Sequence, residues 1–77
     1  MAEAIRNALA VIRRRQLEAR LGLSRSTIYD RLDPKSPRYD PDFPRPIRLG
    51  AGSVGWIEGE VERYVQALIE RSRGAVA

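Results

Sequence analysis

The chain has 77 residues, 43% hydrophobic and 31% charged, with a net charge of +4; this suits one small folded domain and is too apolar for a disordered one. It contains no cysteine and no histidine, which excludes disulfide staples, thiolate zinc sites, a histidine general base and a cysteine nucleophile. No enzyme of a common type, no cofactor and no metal centre is expected.

The basic residues are unevenly placed. Thirteen of the fourteen are arginine, whose rigid fork suits phosphate and guanine. Residues 1–56 carry eleven basic and six acidic groups, and residues 57–77 carry three and four. A basic front with a near-neutral tail is the outline of a nucleic-acid module with a supporting helix. Arginine enrichment from a GC-rich genome is the competing explanation. The apolar run Ala8–Ile12 is far shorter than the roughly 20 residues of a membrane span. The cluster Arg13-Arg14-Arg15 follows that run, the wrong order for a secretory signal. The expected location is the cytoplasm, on the nucleoid.

The elements follow in chain order. Residues 2–12 place Ile5, Ala8, Leu9 and Ile12 on one helical face, although Ala10-Val11-Ile12 reads equally as strand. Residues 1–12 are accordingly assigned to an N-terminal extension and residues 13–77 to the domain. Leu17 and Leu21 then stack on a short helix that Gly22 ends, because glycine accepts the positive φ of a C-terminal cap. Ser24 is a good N-cap for a second helix over Arg25–Leu32, stopped by Pro34, with Ile28 and Leu32 facing inward. Its other face shows Arg25, Ser26, Thr27, Tyr29, Asp30 and Arg31, nearly all hydrogen-bonding groups.

Residues 33–46 hold all five prolines and form an extended loop. Pro34-x-x-Pro37 and Pro41-x-x-Pro44 superficially match ligands of aromatic-groove domains, but Tyr39 and Phe43 read as anchors to the core. Ile47-Arg48-Leu49, the turn residues Gly50–Ser53 and Val54-Gly55-Trp56 form a hairpin. Val61, Tyr64, Val65, Leu68 and Ile69 then mark the inner face of a last helix. Glu58, Glu60 and Glu62 sit at its start and Arg71 and Arg73 near its end, as the helix dipole favours. Trp56 is expected in the core, clamping hairpin to last helix.

This order predicts a mainly α fold with a small β-hairpin, a winged helix-turn-helix. The exposed face of the Ser24–Leu32 helix fits a DNA major groove. Arg25 can fork onto guanine there, and Ser26 or Thr27 can read base edges or phosphate. Tyr29 and Arg31 lie on the same face. The hairpin would lie beside it, with Arg48 and the tip ending at Ser53 reaching a flanking phosphate or the minor groove. Arg13, Arg14 and Arg15 stand where the dipole disfavours positive charge, which hints at phosphate neutralisation. Lys35 and Arg45 are further loop cations. The alternatives are a half-buried edge role for Tyr29 and a solvated charge run for Arg13–Arg15.

Leu21-Gly22-Leu23-Ser24-Arg25-Ser26-Thr27-Ile28-Tyr29 resembles the signature stretch of the AlpA-type phage regulatory proteins. Asp33-Pro34-Lys35-Ser36-Pro37, Tyr39-Asp40-Pro41-Asp42-Phe43-Pro44, Pro46-Ile47-Arg48-Leu49-Gly50 and Val54-Gly55-Trp56 leading to Glu60 continue the likeness in order, over about residues 12–70. Members are similar in fold to excisionases and to the DNA-binding domain of MerR-type regulators. The resemblance implies a prophage- or island-encoded protein that controls transcription, often of an integrase gene, or directs excision. It makes Ser24–Arg31 the recognition helix and Ile47–Trp56 the wing. Glu18 stands where the family usually has an apolar residue on the first helix, and Met1–Ala10 has no counterpart.

Double-stranded DNA is therefore the expected partner, with a second copy bound beside or in tandem because one small domain makes few contacts. A protein-interaction adaptor using the proline loop or last helix is the rival of another class. RNA binding is weaker, since stacking aromatics are few.

Overall fold

The computed structural model describes residues 9–74. In chain order it contains strand β1 (Val11–Ile12), helix α1 (Arg14–Leu21), helix α2 (Arg25–Leu32), strand β2 (Ile47–Gly50), strand β3 (Ser53–Ile57) and helix α3 (Glu58–Gly74). The strands form an antiparallel sheet in the order β1-β3-β2. The fold is a winged helix-turn-helix, with β2 and β3 as the wing.

Local chemistry sets the element ends. The Gln16 side chain accepts from the Arg13 backbone N–H at 2.9 Å and closes the entry to α1. Gly22 ends α1 in the left-handed region at φ 65°, its N–H donating to the Glu18 carbonyl. Ser24 Oγ accepts from the Thr27 N–H at 3.2 Å and starts α2 two residues later. The chain leaves α2 at Asp33, before Pro34. Both helices of the turn end where their cap residues predict.

The hairpin is tighter than the sequence suggested. Gly50 pairs with Ser53, leaving Ala51-Gly52 as a two-residue tip with Gly52 at φ 73°. Ile47 pairs with Gly55 and Arg48 with Val54.

Of the two readings open for Ala10–Ile12, the strand is the one present: Val11 and Ile12 pair with Ile57 and Trp56, and the Glu58 N–H extends the pairing to the Ala10 carbonyl at 2.7 Å. Ile12 is buried in the core, so β1 packs with the residues that follow it. The remainder of the expected leading helix, residues 2–8, lies outside the described residues.

The described core comprises Ile12, Leu17, Ile28, Phe43, Trp56, Val61 and Tyr64, with Leu21, Leu23, Leu32 and Leu68 packed against it. Trp56 is fully buried, and its indole N–H donates to the Pro44 carbonyl at 3.1 Å. Phe43 is buried as an anchor and meets Tyr64 edge-on at 5.1 Å between ring centroids. The proline loop is thereby a fixed connector. Glu18 is half-buried, paired with Arg14 at 3.1 Å, and lies outside the core.

Candidate nucleic-acid interface

The second helix presents its free face because Ile28 is fully buried and its neighbours on the other side are not. Ser24, Arg25 and Ser26 are exposed, and Tyr29 keeps 41% of its surface open. The Arg25 guanidinium lies 5.8 Å from the centroid of the Tyr29 ring, which holds the cation on the exposed side of the helix. Thr27 is half-buried, and its hydroxyl lies 3.0 Å from that of Ser24. Those two hydroxyls serve the helix cap as well as facing outward.

The wing and the start of α1 meet this helix. Arg13, Arg14, Arg15, Tyr29, Gly52 and Val54 line one cleft of about 360 Å³. Three consecutive guanidinium side chains, the hairpin tip and the tyrosine of α2 thus share one concave surface. Arg15 is exposed, while Arg14 also pairs with Glu18 one turn on. A Cβ placed on Gly50 or Gly52 would meet nothing within 4 Å, so the backbone around the tip is open to close approach. Arg48 is exposed on β2, and Ser53 is half-buried at the start of β3.

The loop cations Lys35 and Arg45 are not among the residues lining that cleft. Arg45 is exposed and donates to the Tyr39 hydroxyl at 3.3 Å, beside a second cleft lined by Tyr29, Leu32, Tyr39 and Pro46. Lys35 is exposed, with its backbone N–H bound to Asp33. Asp30, on the outward face of α2, is paired with Arg38 at 3.3 Å.

Arg31 has a partner within the fold: its guanidinium donates to the Tyr64 hydroxyl at 2.9 Å, and Tyr64 donates to Asp40 at 2.7 Å. The residue lies three positions after buried Ile28, at the border of the inner face, so helical periodicity carried a signal for this orientation. Burial and then the bond to Asp40 push the Tyr64 phenol above its ordinary pKa, against the opposing effect of Arg31. Spacing did not reveal Asp40 as the third member, because only the folded loop brings it there. The last helix is also tied to the rest of the fold by charge: Glu58 pairs with Arg20 of α1, and Arg71 approaches Asp42 at 3.9 Å. Among the described residues, no helix is long and apolar enough to cross a membrane.

A compact helix-turn-helix, a short glycine-tipped wing and a cleft lined with arginine define a winged helix-turn-helix module. The family model described as prophage CP4-57 regulatory protein (AlpA) matches residues 10–69, and the chain belongs to that family. It is 47% identical over 60 residues to the DNA-binding transcriptional activator AlpA of Escherichia coli (strain K12), an alignment covering 78% of this chain and 86% of that relative. The family match includes β1, in keeping with its place in the sheet. No solved structure matches the chain.

Proposed function

We propose that this protein is a sequence-specific DNA-binding regulator of transcription, without catalytic activity, acting on the nucleoid. The observation that carries the reading is the cleft that joins Arg13–Arg15, Tyr29 and the wing tip beside the exposed face of α2. Its cations neutralise phosphates and set the register, while Arg25, Ser26 and Thr27 read base edges in the major groove. Tyr29 orients Arg25 and can also touch the DNA. Arg48 and the tip brace on the flanking backbone, and Lys35, Arg45 and Ser53 supply further contacts to it. Activation is the sign of control that the relative's name supports.

A single module of this kind buries about 600–1,000 Å² on DNA, below the range of most specific complexes. Paired or tandem copies would supply the remaining contacts. Footprinting on the DNA beside the protein's own gene and any neighbouring integrase gene tests the reading. The expected result is one or more discrete protected sites, with protection growing over more than one site as protein is added. Uniform coverage or none at all contradicts it.

A further inference from the structure

Arg31, Tyr64 and Asp40 join three elements that share no chain continuity. Arg31 belongs to α2, Tyr64 to α3, and Asp40 to the proline loop. The Arg31 guanidinium donates to the Tyr64 hydroxyl at 2.9 Å, that hydroxyl donates to Asp40 at 2.7 Å, and the Asp40 backbone N–H donates to the Arg31 carbonyl at 2.9 Å. The ring of contacts closes on the last turn of the recognition helix. Tyr64 is buried, and Arg31 and Asp40 are half-buried. Apolar packing around Ile28 keeps α2 on the core but is non-directional. Hydrogen bonds fix angle and register, and this ring supplies them where α2 meets the loop that carries Lys35 and Arg45.

We infer that the Tyr64 hydroxyl is a positioning residue for sequence recognition: bonded to Arg31 and Asp40, it sets the pose of α2 against the proline loop and thereby the preference for operator over random DNA. The inference rests on the proposed DNA-binding function. Misplacing a base-reading helix weakens contacts that depend on alignment, whereas phosphate attraction tolerates small shifts.

Two variants test it, at a temperature where circular dichroism shows each to be folded. Tyr64→Phe keeps the ring against Phe43 and removes the hydroxyl. It should lower operator affinity about tenfold while leaving affinity for random duplex DNA and the salt slope unchanged. Asp40→Ala removes the acceptor on a less buried residue and should give the same selective loss. A merely electrostatic role for Asp40 predicts the opposite, since deleting an acidic group strengthens binding to all DNA. The double variant should lose no more than either single variant, because one network is broken once.

Folded variants with an unchanged operator preference overturn the inference, as does an equal loss on both DNAs. If Tyr64→Phe alone fails to fold, Asp40→Ala decides between the same outcomes. A wild-type protein that binds duplex DNA with no preference for any site refutes the proposed function instead, and is recognisable before any variant is made.

Discussion

The Trp56 indole N–H donates to the Pro44 carbonyl at 3.1 Å, so the largest core side chain also holds the end of the proline loop. One residue thereby locks three parts together: β3 through its backbone, the interior through its ring, and the loop through its single polar atom. A buried indole whose N–H is satisfied gives stability without an unpaired donor.

Trp56→Ala should therefore unfold or nearly unfold the domain. Loss of a large buried aromatic costs about 3–5 kcal/mol, against a total of about 5–15 kcal/mol for ordinary domains. A chain of 77 residues has little to spare. Circular dichroism on the variant checks this. A folded protein that has lost DNA binding would instead make Trp56 a stacking surface and contradict its core role.

Gly55 tests the attachment of β1. A Cβ at this position would lie 2.5 Å from Val11 Cγ1 and 3.1 Å from both the Ile12 carbonyl and Leu49 Cδ1. Gly55→Ala should cost about 1–3 kcal/mol, the usual range for overpacking. In a Val11→Ala background the nearest atom is gone, and the cost should shrink. Chemical denaturation of the two single variants and the double variant measures the difference; equal costs in both backgrounds would mean that Val11 does not lie over Gly55.

The same two strands show why part of the fold was legible and part was not. Helix α2 was readable because its ends are written locally, in Ser24 before it and Pro34 after it. Val11–Ile12 was ambiguous because a two-residue strand has no period of its own; only pairing with Ile57 and Trp56, far along the chain, decides its state. The exposed face around Arg25 and Tyr29 was visible as a run of polar residues opposite Ile28. The bonds from Arg31 to Tyr64 and from Tyr64 to Asp40 were not legible, because the loop and last helix deliver those partners from elsewhere. The meeting of Arg13–Arg15 with the wing tip likewise needs the sheet in place.

Alkaline titration should show Tyr64 apart from ordinary tyrosines. Burial and the Asp40 bond raise its pKa above the usual 10.0. The folded chain then keeps its phenolic proton over a pH range in which the unfolded chain has lost it. Stability from this group is complete below about pH 10 and declines as pH rises through the folded value. The difference in phenolate absorbance between wild type and Tyr64→Phe should have its midpoint above that of a free tyrosine. A midpoint at or below the free value would contradict the buried, carboxylate-bonded phenol.

Arg25 should matter for specificity and little for stability. It is exposed at the first position of α2 and touches the face of Tyr29. Arg25→Ala should lower operator affinity by about 1–3 kcal/mol and relax the preference at one base pair, with thermal unfolding nearly unchanged. Tyr29→Leu should reproduce part of that loss by freeing the guanidinium. Selection from randomised operators checks both. Unaltered preference at every position would remove Arg25 from the reading set.

The division of labour between helix and wing is measured most directly by equilibrium binding of wild type and Arg48→Ala to operator and random duplex DNA across a salt series. Arg48 is exposed on β2 beside the Ala51-Gly52 tip, and it pairs in register with Val54, a wall of the arginine-lined cleft. Wild-type affinity should fall steeply with salt on both DNAs and remain higher on the operator. Arg48→Ala should weaken binding to both by a similar factor and reduce the salt slope by about one, with operator preference intact. If Arg48→Ala leaves affinity and slope where they were, the hairpin only braces the last helix; if wild-type binding is absent or insensitive to salt, the surface does not bind DNA.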